Sequence, residues 1–264
     1  MRLFLRSFIL TALIQQCLGQ TSSRTILAVF AHLDDDVFAG ALWAHYAQQG
    51  AKVQFVIVAQ GTGGGRLGRV PGITTGQELA RVYDEEVRCT CRELGIAPPI
   101  ILRFGDGQLG KPVQPPWANL AEAEHELRGI ILNLKPEAII TFGPEGVYGH
   151  PEHRLVGALV TQIVQSGAEG VGDRLLYMAF PKSRISEWHE TEPFSAVEDR
   201  YLTVQVPYSE SDLARFKRSF SCFKTQFLPH EMQKLPEELN RVWGGRLYLR
   251  PWFGSQKGED VFGK

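Results

Sequence analysis

The sequence predicts an α/β fold built on a mostly parallel β-sheet. Short apolar, β-branched runs alternate with longer helical patterns, which is the rhythm of strand–helix–strand crossover units. The apolar runs are nearly continuous, as expected for strands that helices cover on both faces. With 264 residues, 44% of them hydrophobic, and a formal net charge of −1, the chain suits one sizeable domain.

The predicted strands and helices follow in chain order. Each strand is placed on a nearly continuous apolar run and each helix on the amphipathic stretch that follows it. The strands cover residues 26–30, 52–59, 100–104, 138–142 and 174–180, and the helices cover 37–49, 77–94, 117–134 and a stretch that opens near Pro151. The pair Lys135-Pro136 ends the third helix, because a residue before proline disfavours the helical conformation.

After Pro181 this rhythm weakens. The sequence predicts a polar stretch over residues 183–199, a strand over 201–206 and a helix near 211–227. The tail over 235–264 either walls a pocket or caps the sheet, and its pattern does not distinguish the two.

Two polar segments follow the first and fourth predicted strands. Residues 31–36 read Ala-His-Leu-Asp-Asp-Asp, and residues 150–153 read His-Pro-Glu-His. Ligands of open α/β sheets bind just beyond the carboxyl ends of the strands. Two clusters of imidazoles and carboxylates at that edge can converge on one metal ion.

The spacing within these segments suits a hydrolytic metal site. His32 and Asp35 lie three residues apart and share a face, so one turn supplies two ligands. His153 could complete the set and leave a position open for water. Asp34 would then lie beside the metal as a base, and His150 would face the same cavity. The alternative is that the aspartates cap a helix and the histidines cap or pack.

These segments resemble the two signatures of the PIG-L/LmbE-like zinc de-N-acetylases, Ala-His-Pro-Asp-Asp-Glu and His-Pro-Asp-His. The resemblance covers about residues 24–180 well, in order, separation and strand context. It implies a Rossmann-like, three-layer α/β fold with a smaller C-terminal extension. It also implies hydrolysis of an acetamide on an amino sugar, or of a related amide, with a divalent metal that is usually zinc.

The resemblance further implies roles for individual residues. By motif position, His32, Asp35 and His153 would bind the metal, Asp34 would be the general base, protonated His150 and Tyr148 would stabilise the tetrahedral intermediate, and Asp106 would contact sugar hydroxyls.

Several positions depart from the family pattern. Leu33 replaces proline, Asp36 replaces glutamate, Glu152 replaces aspartate, and Phe223 replaces a histidine near the C-terminus. Tyr83 stands where many relatives have a substrate-binding arginine, and Arg66, Arg81 and Arg88 are candidates to replace it. These departures bear on the substrate more than on the chemistry.

The expected function is removal of an acetyl group from an N-acetylated amino sugar or glycoconjugate by a Zn²⁺-dependent hydrolase. Two histidines and one carboxylate also serve Fe²⁺, so iron remains an alternative. An amidase of a larger sugar or thiol conjugate and an inactive carbohydrate-binding protein stay open as alternatives. Gly63, Gly65 and Gly68 match a dinucleotide fingerprint, but they follow the second strand rather than the first. No basic stretch indicates nucleic acid as a partner.

The first residues resemble a signal peptide. Arg2 and Arg6 precede a short apolar run, and small residues precede Gln20. Residues 1–19 are therefore predicted to be removed, leaving 20–264 as a single catalytic domain with a core over about 24–180 and an extension over 181–264. This predicts a secreted or periplasmic protein without a stable membrane anchor; a buried helix or an anchor is the alternative.

The remaining cysteines are predicted to be unpaired. Cys89 and Cys91 lie two apart on a predicted helix and point to different faces, so they do not pair easily. Together with Cys222 they are interpreted as buried, small apolar residues.

Overall fold

Strands and helices alternate as predicted in a computed structural model that describes residues 24–60, 72–73, 75–111, 118–167, 174–189, 194–252 and 258–262. In chain order these residues form β1 (Thr25–Phe30), α1 (Gly40–Gln48), β2 (Lys52–Ala59), α2 (Gly76–Leu94), β3 (Ile100–Phe104), α3 (Ala118–Leu134), β4 (Ala138–Phe142), α4 (Gly146–Gly149), α5 (Pro151–Gln165), β5 (Leu175–Met178), β6 (Phe180–Pro181), β7 (Ala196–Val197), β8 (Val204–Pro207), α6 (Glu210–Phe220), α7 (Pro229–Trp243) and β9 (Arg246–Pro251).

The main sheet has the strand order β3-β2-β1-β4-β5-β9-β8. Strands β1 to β5 are parallel, and β9 runs antiparallel to both β5 and β8. The mostly parallel α/β fold is therefore confirmed. The chain runs outward from β1 through β2 to β3 and then returns to β4 on the other side of β1. This reversal between β1 and β4 is where ligands bind in such sheets.

Aromatic side chains fill the core behind this switch point. Phe30, Trp43 and Phe55 are fully buried, and their rings meet edge to face with centroids 5.1–5.7 Å apart. Full burial of each such side chain contributes about 1.5–3 kcal/mol. Trp43 Nε1 also donates to the backbone oxygen of Asp36 at 2.9 Å, so the core holds the turn that carries the first segment.

The C-terminal extension completes the sheet. Helix α6 packs on α1 and α2, and β8 and β9 extend the sheet beyond β5. The strand predicted over 201–206 begins at Val204, and the helix predicted over 211–227 ends at Phe220. Pro236 lies inside α7. Because proline disfavours the interior of a helix, the sequence pattern did not predict a helix here. The tail, left undecided by the sequence, thus supplies most of α7 together with β9, which lies in the sheet between β5 and β8.

One disulfide corrects the cysteine prediction. Cys89 on α2 is bonded to Cys222 just after α6, with their Cα atoms 5.8 Å apart. Cys91 is free and buried, as predicted. The partner of Cys89 was missed because it lies 133 residues away, in the extension whose packing the sequence left open.

Several predicted features lie outside the described residues: the signal peptide over 1–19, the glycines at 63, 65 and 68, and Arg66. Among the helices that are described, none is both long enough and apolar enough to cross a bilayer.

Candidate active site

The two polar segments meet at the carboxyl edge of the sheet. His32 lies two residues beyond β1, and His153 lies in the first turn of α5, which follows the neighbouring strand β4. Nδ1 of His32 is 3.3 Å from Nε2 of His153. The structure therefore brings together the histidines that the sequence expected to converge.

His32, Asp35 and His153 form a compact set of donor atoms. Asp35 Oδ1 is 3.1 Å from His153 Nε2, and Asp35 Oδ2 is 3.7 Å from His32 Nδ1. Tetrahedral ligands at bond lengths near 2.1 Å lie about 3.4 Å from one another. His153 and Asp35 are buried, which limits competition from water. These separations are therefore close to those around a divalent cation, with a different oxygen of Asp35 facing each histidine.

The ring of His153 is held on two sides. Its Nδ1 donates to the backbone oxygen of Gly146 at 3.1 Å, and the ring stacks on Phe142 with centroids 4.2 Å apart. Donation from Nδ1 leaves the lone pair of Nε2 facing Asp35 and His32. A metal-binding histidine is commonly oriented by such a partner on its other nitrogen.

His32 is oriented by carboxylates that the sequence did not connect with it. Its Nε2 lies 2.9 Å from Glu152 Oε2 and 3.4 Å from Asp106 Oδ1, so this nitrogen donates and Nδ1 faces the site. The sequence marked Glu152 only as a departure from the family signature. The position of Glu152 between His150 and His153 in the sequence was the only indication of its role. Its hydrogen-bond partner, His32, lies 120 residues away. Asp106, expected to contact sugar, lies against His32.

The charges of His32 and Asp35 stabilise each other in this cluster. Burial lowers the pKa of His32, but hydrogen bonds to Asp106, Asp35 and Glu152 outweigh burial and raise it well above its usual value. Burial raises the pKa of Asp35, but the nearby His153 and His32 outweigh burial and hold it well below its usual range. A cation that binds here must therefore displace a proton from His32.

The neighbouring aspartates have different environments. Asp34 is half-buried at the N-cap of a 3₁₀ helix over Asp35–Ala39, and its side chain makes no capping hydrogen bond. The capping alternative therefore does not explain Asp34. Both carboxyl oxygens of Asp36 are buried without a hydrogen-bond partner among the described residues. Burial, and then the charges of Asp34 and Asp35, raise the pKa of Asp36.

A strained turn presents Tyr148. Val147 is buried with φ at 65°, a left-handed conformation that β-branched residues rarely adopt. Its backbone oxygen accepts from the amide of Ser195 at 2.6 Å, which helps to hold the turn. Tyr148 is 37% exposed, and its ring centroid lies 5.7 Å from that of His150. The phenol is thus close to the site and open to solvent.

His150 differs from the expectation of a protonated side chain. Burial, and then the neighbouring imidazoles of His153 and His32, lower the pKa of His150. Its Nδ1 accepts from the amide of Glu152 at 3.3 Å at the start of α5. The neutral ring therefore carries its hydrogen on Nε2 and remains a donor.

The structure accounts for two departures from the family pattern. Tyr83 is buried and does not reach a surface where substrate could bind, whereas Arg81 is exposed. Phe223 is also buried, and its ring lies 6.4 Å from that of Phe220. The histidine position of the family is thus part of the core here.

Comparison with known proteins identifies the family. The PIG-L profile, described as GlcNAc-PI de-N-acetylase, matches residues 27–164, which include both polar segments. The chain belongs to the PIG-L family. A 1D-myo-inositol 2-acetamido-2-deoxy-alpha-D-glucopyranoside deacetylase of Acidothermus cellulolyticus is 30% identical over 210 residues, covering 72% of this chain and 70% of the relative. The corresponding enzyme of Rhodococcus erythropolis is 31% identical over 56% of this chain and 55% of its own length.

Solved structures show the same fold. The N,N'-diacetylchitobiose deacetylase of Pyrococcus horikoshii is 18% identical with a TM-score of 0.61, over 86% of this chain and 83% of that one. A 4-carboxy-2-hydroxymuconate hydratase of Pseudomonas putida KT2440 is 15% identical with a TM-score of 0.61, over 88% of this chain and 97% of that one. Since a hydratase shares the fold, the function of this PIG-L chain must be argued from its site.

The predicted secreted or periplasmic localisation is wrong. The PIG-L relatives from Acidothermus cellulolyticus and Rhodococcus erythropolis are deacetylases of a small inositol glycoside, which gives no support to an exported protein. The residues that suggested a signal peptide lie outside the described part of the chain, so the structure lends that interpretation no support.

Proposed function

We propose that this chain is a metal-dependent de-N-acetylase that hydrolyses the acetamide of an N-acetylglucosamine unit in a glycoside. The observation that carries the proposal is the convergence of His32, Asp35 and His153, with donor atoms 3.1–3.7 Å apart. The sugar deacetylases among its relatives support the substrate class.

His32, Asp35 and His153 would hold the cation, which we propose is zinc. The same ligand set also suits ferrous iron. When bound, the cation supplies Lewis acidity that polarises the acetamide carbonyl and lowers the pKa of a water molecule. The outer nitrogen of each histidine, Nε2 of His32 and Nδ1 of His153, donates to Glu152 and to the backbone oxygen of Gly146 respectively. The lone pair of the other ring nitrogen is therefore directed into the site.

Asp34 acts as the general base. It is half-buried in the same turn as Asp35, beside the proposed metal ligands, and from this position its carboxylate would take a proton from the attacking water. A C–O bond then forms at the carbonyl carbon, and the C–N bond breaks as the nitrogen receives that proton. The products are acetate and the free amino sugar.

His150 and Tyr148 stabilise the oxyanion of the tetrahedral intermediate. His150 does so as a neutral ring through its Nε2 hydrogen, since Nδ1 is engaged by the amide of Glu152. Tyr148 donates its phenol hydrogen from the exposed side of the site. Each preorganised donor of this kind contributes about 2–4 kcal/mol to transition-state stabilisation.

The test is acetate release from the inositol glycoside on which the relatives act, together with metal analysis. Asp34→Asn should retain zinc and lower kcat about 10²- to 10⁴-fold. Asp36→Asn is the matched control, because its carboxyl has no hydrogen-bond partner among the described residues and the amide is a neutral group of the same shape. An undiminished rate in Asp34→Asn would remove the proposed base. A wild-type protein that binds the sugar but holds no metal would instead be a carbohydrate-binding module.

A further inference from the structure

We propose that Arg250 is a positioning residue for catalysis, which holds Tyr148 in place through an ion pair with Glu145. This inference rests on the proposed function, in which Tyr148 donates a hydrogen bond to the tetrahedral intermediate. The segment concerned is the Tyr148 turn, defined here as residues 143–149, which lies between β4 and α5. Arg250 lies on β9, so the C-terminal extension would contribute to the active site.

The Tyr148 turn has a backbone that needs support from outside. Gly146, Val147 and Gly149 all have positive φ angles, of 62°, 65° and 89°. For Val147 this conformation costs free energy, so other contacts must hold it. His153 Nδ1 donates to the oxygen of Gly146, and the amide of Ser195 donates to the oxygen of Val147. Both contacts hold the middle of the turn, and its beginning is held separately.

Glu145 links the beginning of the turn to the backbone on the far side of Tyr148. Its backbone oxygen accepts from the amide of Gly149 at 3.1 Å, and this hydrogen bond closes a loop around residues 146–148. The carboxylate of Glu145 folds back over Gly143, where a Cβ would lie 2.4 Å from both oxygens. A shift of Glu145 would therefore also move the backbone that carries Tyr148.

Arg250 compensates the charge of the Glu145 carboxylate. Its Nη2 lies 3.3 Å from Oε2 of Glu145, and the two side chains are only 21% and 14% exposed. Oε1 of Glu145 is buried without a hydrogen-bond partner among the described residues. A largely buried carboxylate is costly without a cation beside it. Glu145 therefore keeps its place because Arg250 faces it.

Arg250 is itself held in place. It lies opposite Tyr177 in the β5–β9 pair, and its guanidinium carbon is 4.7 Å from the centroid of the Tyr177 ring. The hydroxyl groups of Tyr177 and Thr161 are hydrogen-bonded at 2.6 Å, and Thr161 lies on α5, the helix that carries His153. A guanidinium that lies on an aromatic face loses less freedom when it forms an ion pair. The Glu145 carboxylate is thus anchored to the same sheet and helix as His153.

This ion pair suits the placement of a side chain better than the stabilisation of the fold. The cost of desolvating two charges offsets most of their attraction, so a buried pair adds little net stability but fixes one geometry. A hydrogen-bond donor to an oxyanion needs a fixed geometry, since a displacement of about 1 Å lowers the rate about 10²-fold. Tyr148 is 37% exposed, so packing around its ring provides only part of that constraint.

The first experiment measures acetate release from the same inositol glycoside by Arg250 variants. Arg250→Gln should lower kcat about tenfold and leave KM within about twofold, because Tyr148 donates its hydrogen bond only in the transition state. Arg250→Lys keeps the charge and should recover part of this loss. Arg246→Gln is the matched control, because Arg246 lies on the same strand in an exposed pair with Glu259, and it should leave both constants unchanged.

A double variant separates positioning from a general effect on the fold. Tyr148→Phe alone should lower kcat about 10²- to 10³-fold. Because Arg250 acts through Tyr148, adding Arg250→Gln to Tyr148→Phe should lower kcat no further. Losses that multiply, or an Arg250→Gln variant with the kcat of the wild type, would overturn the positioning role and leave the deacetylase intact. A wild type that releases no acetate would overturn the deacetylase, and the positioning role with it.

A second experiment observes the turn without relying on activity. Fluorotyrosine introduced at position 148 alone gives a fluorine NMR signal that reports on the surroundings of this ring. Arg250→Gln should shift or broaden the signal, whereas Arg246→Gln should leave it unchanged. If Arg250→Gln folds poorly because Glu145 is left uncompensated, Glu145→Gln combined with Arg250→Gln removes both charges and should give the same change. A signal identical to that of the wild type would show that other contacts hold the turn and would overturn the proposal.

Discussion

At the scale of single residues, His32 and His153 each keep one nitrogen for the interior of the site because the other nitrogen is engaged outside it. Glu152 holds the outer nitrogen of His32, and the oxygen of Gly146 holds that of His153. If both outer nitrogens donate, two lone pairs face each other 3.3 Å apart. A proton or a metal cation must then lie between them, and the competition between the two controls metal affinity.

Zinc affinity should therefore rise with pH. The pKa of His32 is raised, so the metal-free protein holds this proton throughout the neutral range and zinc must displace it. One displaced proton corresponds to about a tenfold gain in apparent affinity per pH unit. Chelator competition at about pH 6, 7 and 8 measures the slope. An affinity that does not change with pH would contradict the exchange of a proton for a cation.

The same linkage predicts how stability responds to pH. Because the folded pKa of His32 lies above its unfolded value, its contribution to the metal-free protein is full below about pH 6.5 and declines as pH rises towards the folded pKa. Zinc should restore what is lost, so the zinc-induced rise in Tm should grow with pH.

Glu152→Gln should weaken zinc binding about 10- to 100-fold, since it removes the carboxylate that orients His32. The variant should also lower the pKa of His32 and so reduce the pH slope of zinc affinity. Glu122→Gln, at an exposed position on α3, is the matched control. Calorimetric titration with zinc checks both variants. Equal affinity in Glu152→Gln and wild type would mean that Asp106 alone orients the ring.

At the scale of elements, α2 is linked to the extension by two contacts. Glu86 accepts from the amide and the hydroxyl of Thr225 at 2.7 and 2.6 Å, and Cys89 is bonded to Cys222 one turn farther on. The extension therefore braces helix α2.

Loss of the disulfide should lower stability by about 2–4 kcal/mol, because the bond closes a long loop in the unfolded chain. For a protein of this size Tm should fall by roughly 5–15 °C. Thermal unfolding with and without a thiol reductant measures the effect, and Cys222→Ser should be insensitive to the reductant. A wild-type Tm that the reductant leaves unchanged would contradict a structural role for this bond.

At the scale of the whole molecule, the sequence predicted what depends on local pattern. The strands 52–59, 100–104 and 138–142 were predicted to the residue because nearly continuous apolar runs are typical of strands in parallel sheets. Because ligands of open α/β sheets bind beyond the carboxyl ends of the strands, residues 31–36 and 150–153 were predicted to lie at one edge of the sheet.

Pairings between distant segments could not be predicted in this way. Glu152 on His32 and Cys222 on Cys89 depend on the tertiary fold, and no spacing rule encodes them. The left-handed backbone of Arg103 also escaped prediction, because it depends on a bulge whose register is set by the neighbouring strand. Strand β9 alternates between buried and half-buried residues and follows an unrecognised helix, so its place in the sheet was not apparent.

The extension and the core over about 24–180 should unfold as one cooperative unit, because α6 lies directly on α1. A Cβ at Gly40 would lie 1.9 Å from the ring of Phe216, which is fully buried. Gly40→Ala should therefore force the two helices apart and cost about 1–3 kcal/mol. Gly129→Ala is the matched control, since nothing lies within 4 Å of its Cβ and alanine favours helix by up to about 1 kcal/mol.

Scanning calorimetry of both glycine variants tests this unit. The wild type should show a single transition, Gly40→Ala should move that whole transition to lower temperature, and Gly129→Ala should raise it slightly. Phe216→Leu added to Gly40→Ala should recover part of the loss, because the smaller side chain frees space for the new methyl group. If Gly40→Ala instead splits the transition in two, the extension folds separately, and the bracing of α2 by Thr225 and Cys222 is not coupled to the core.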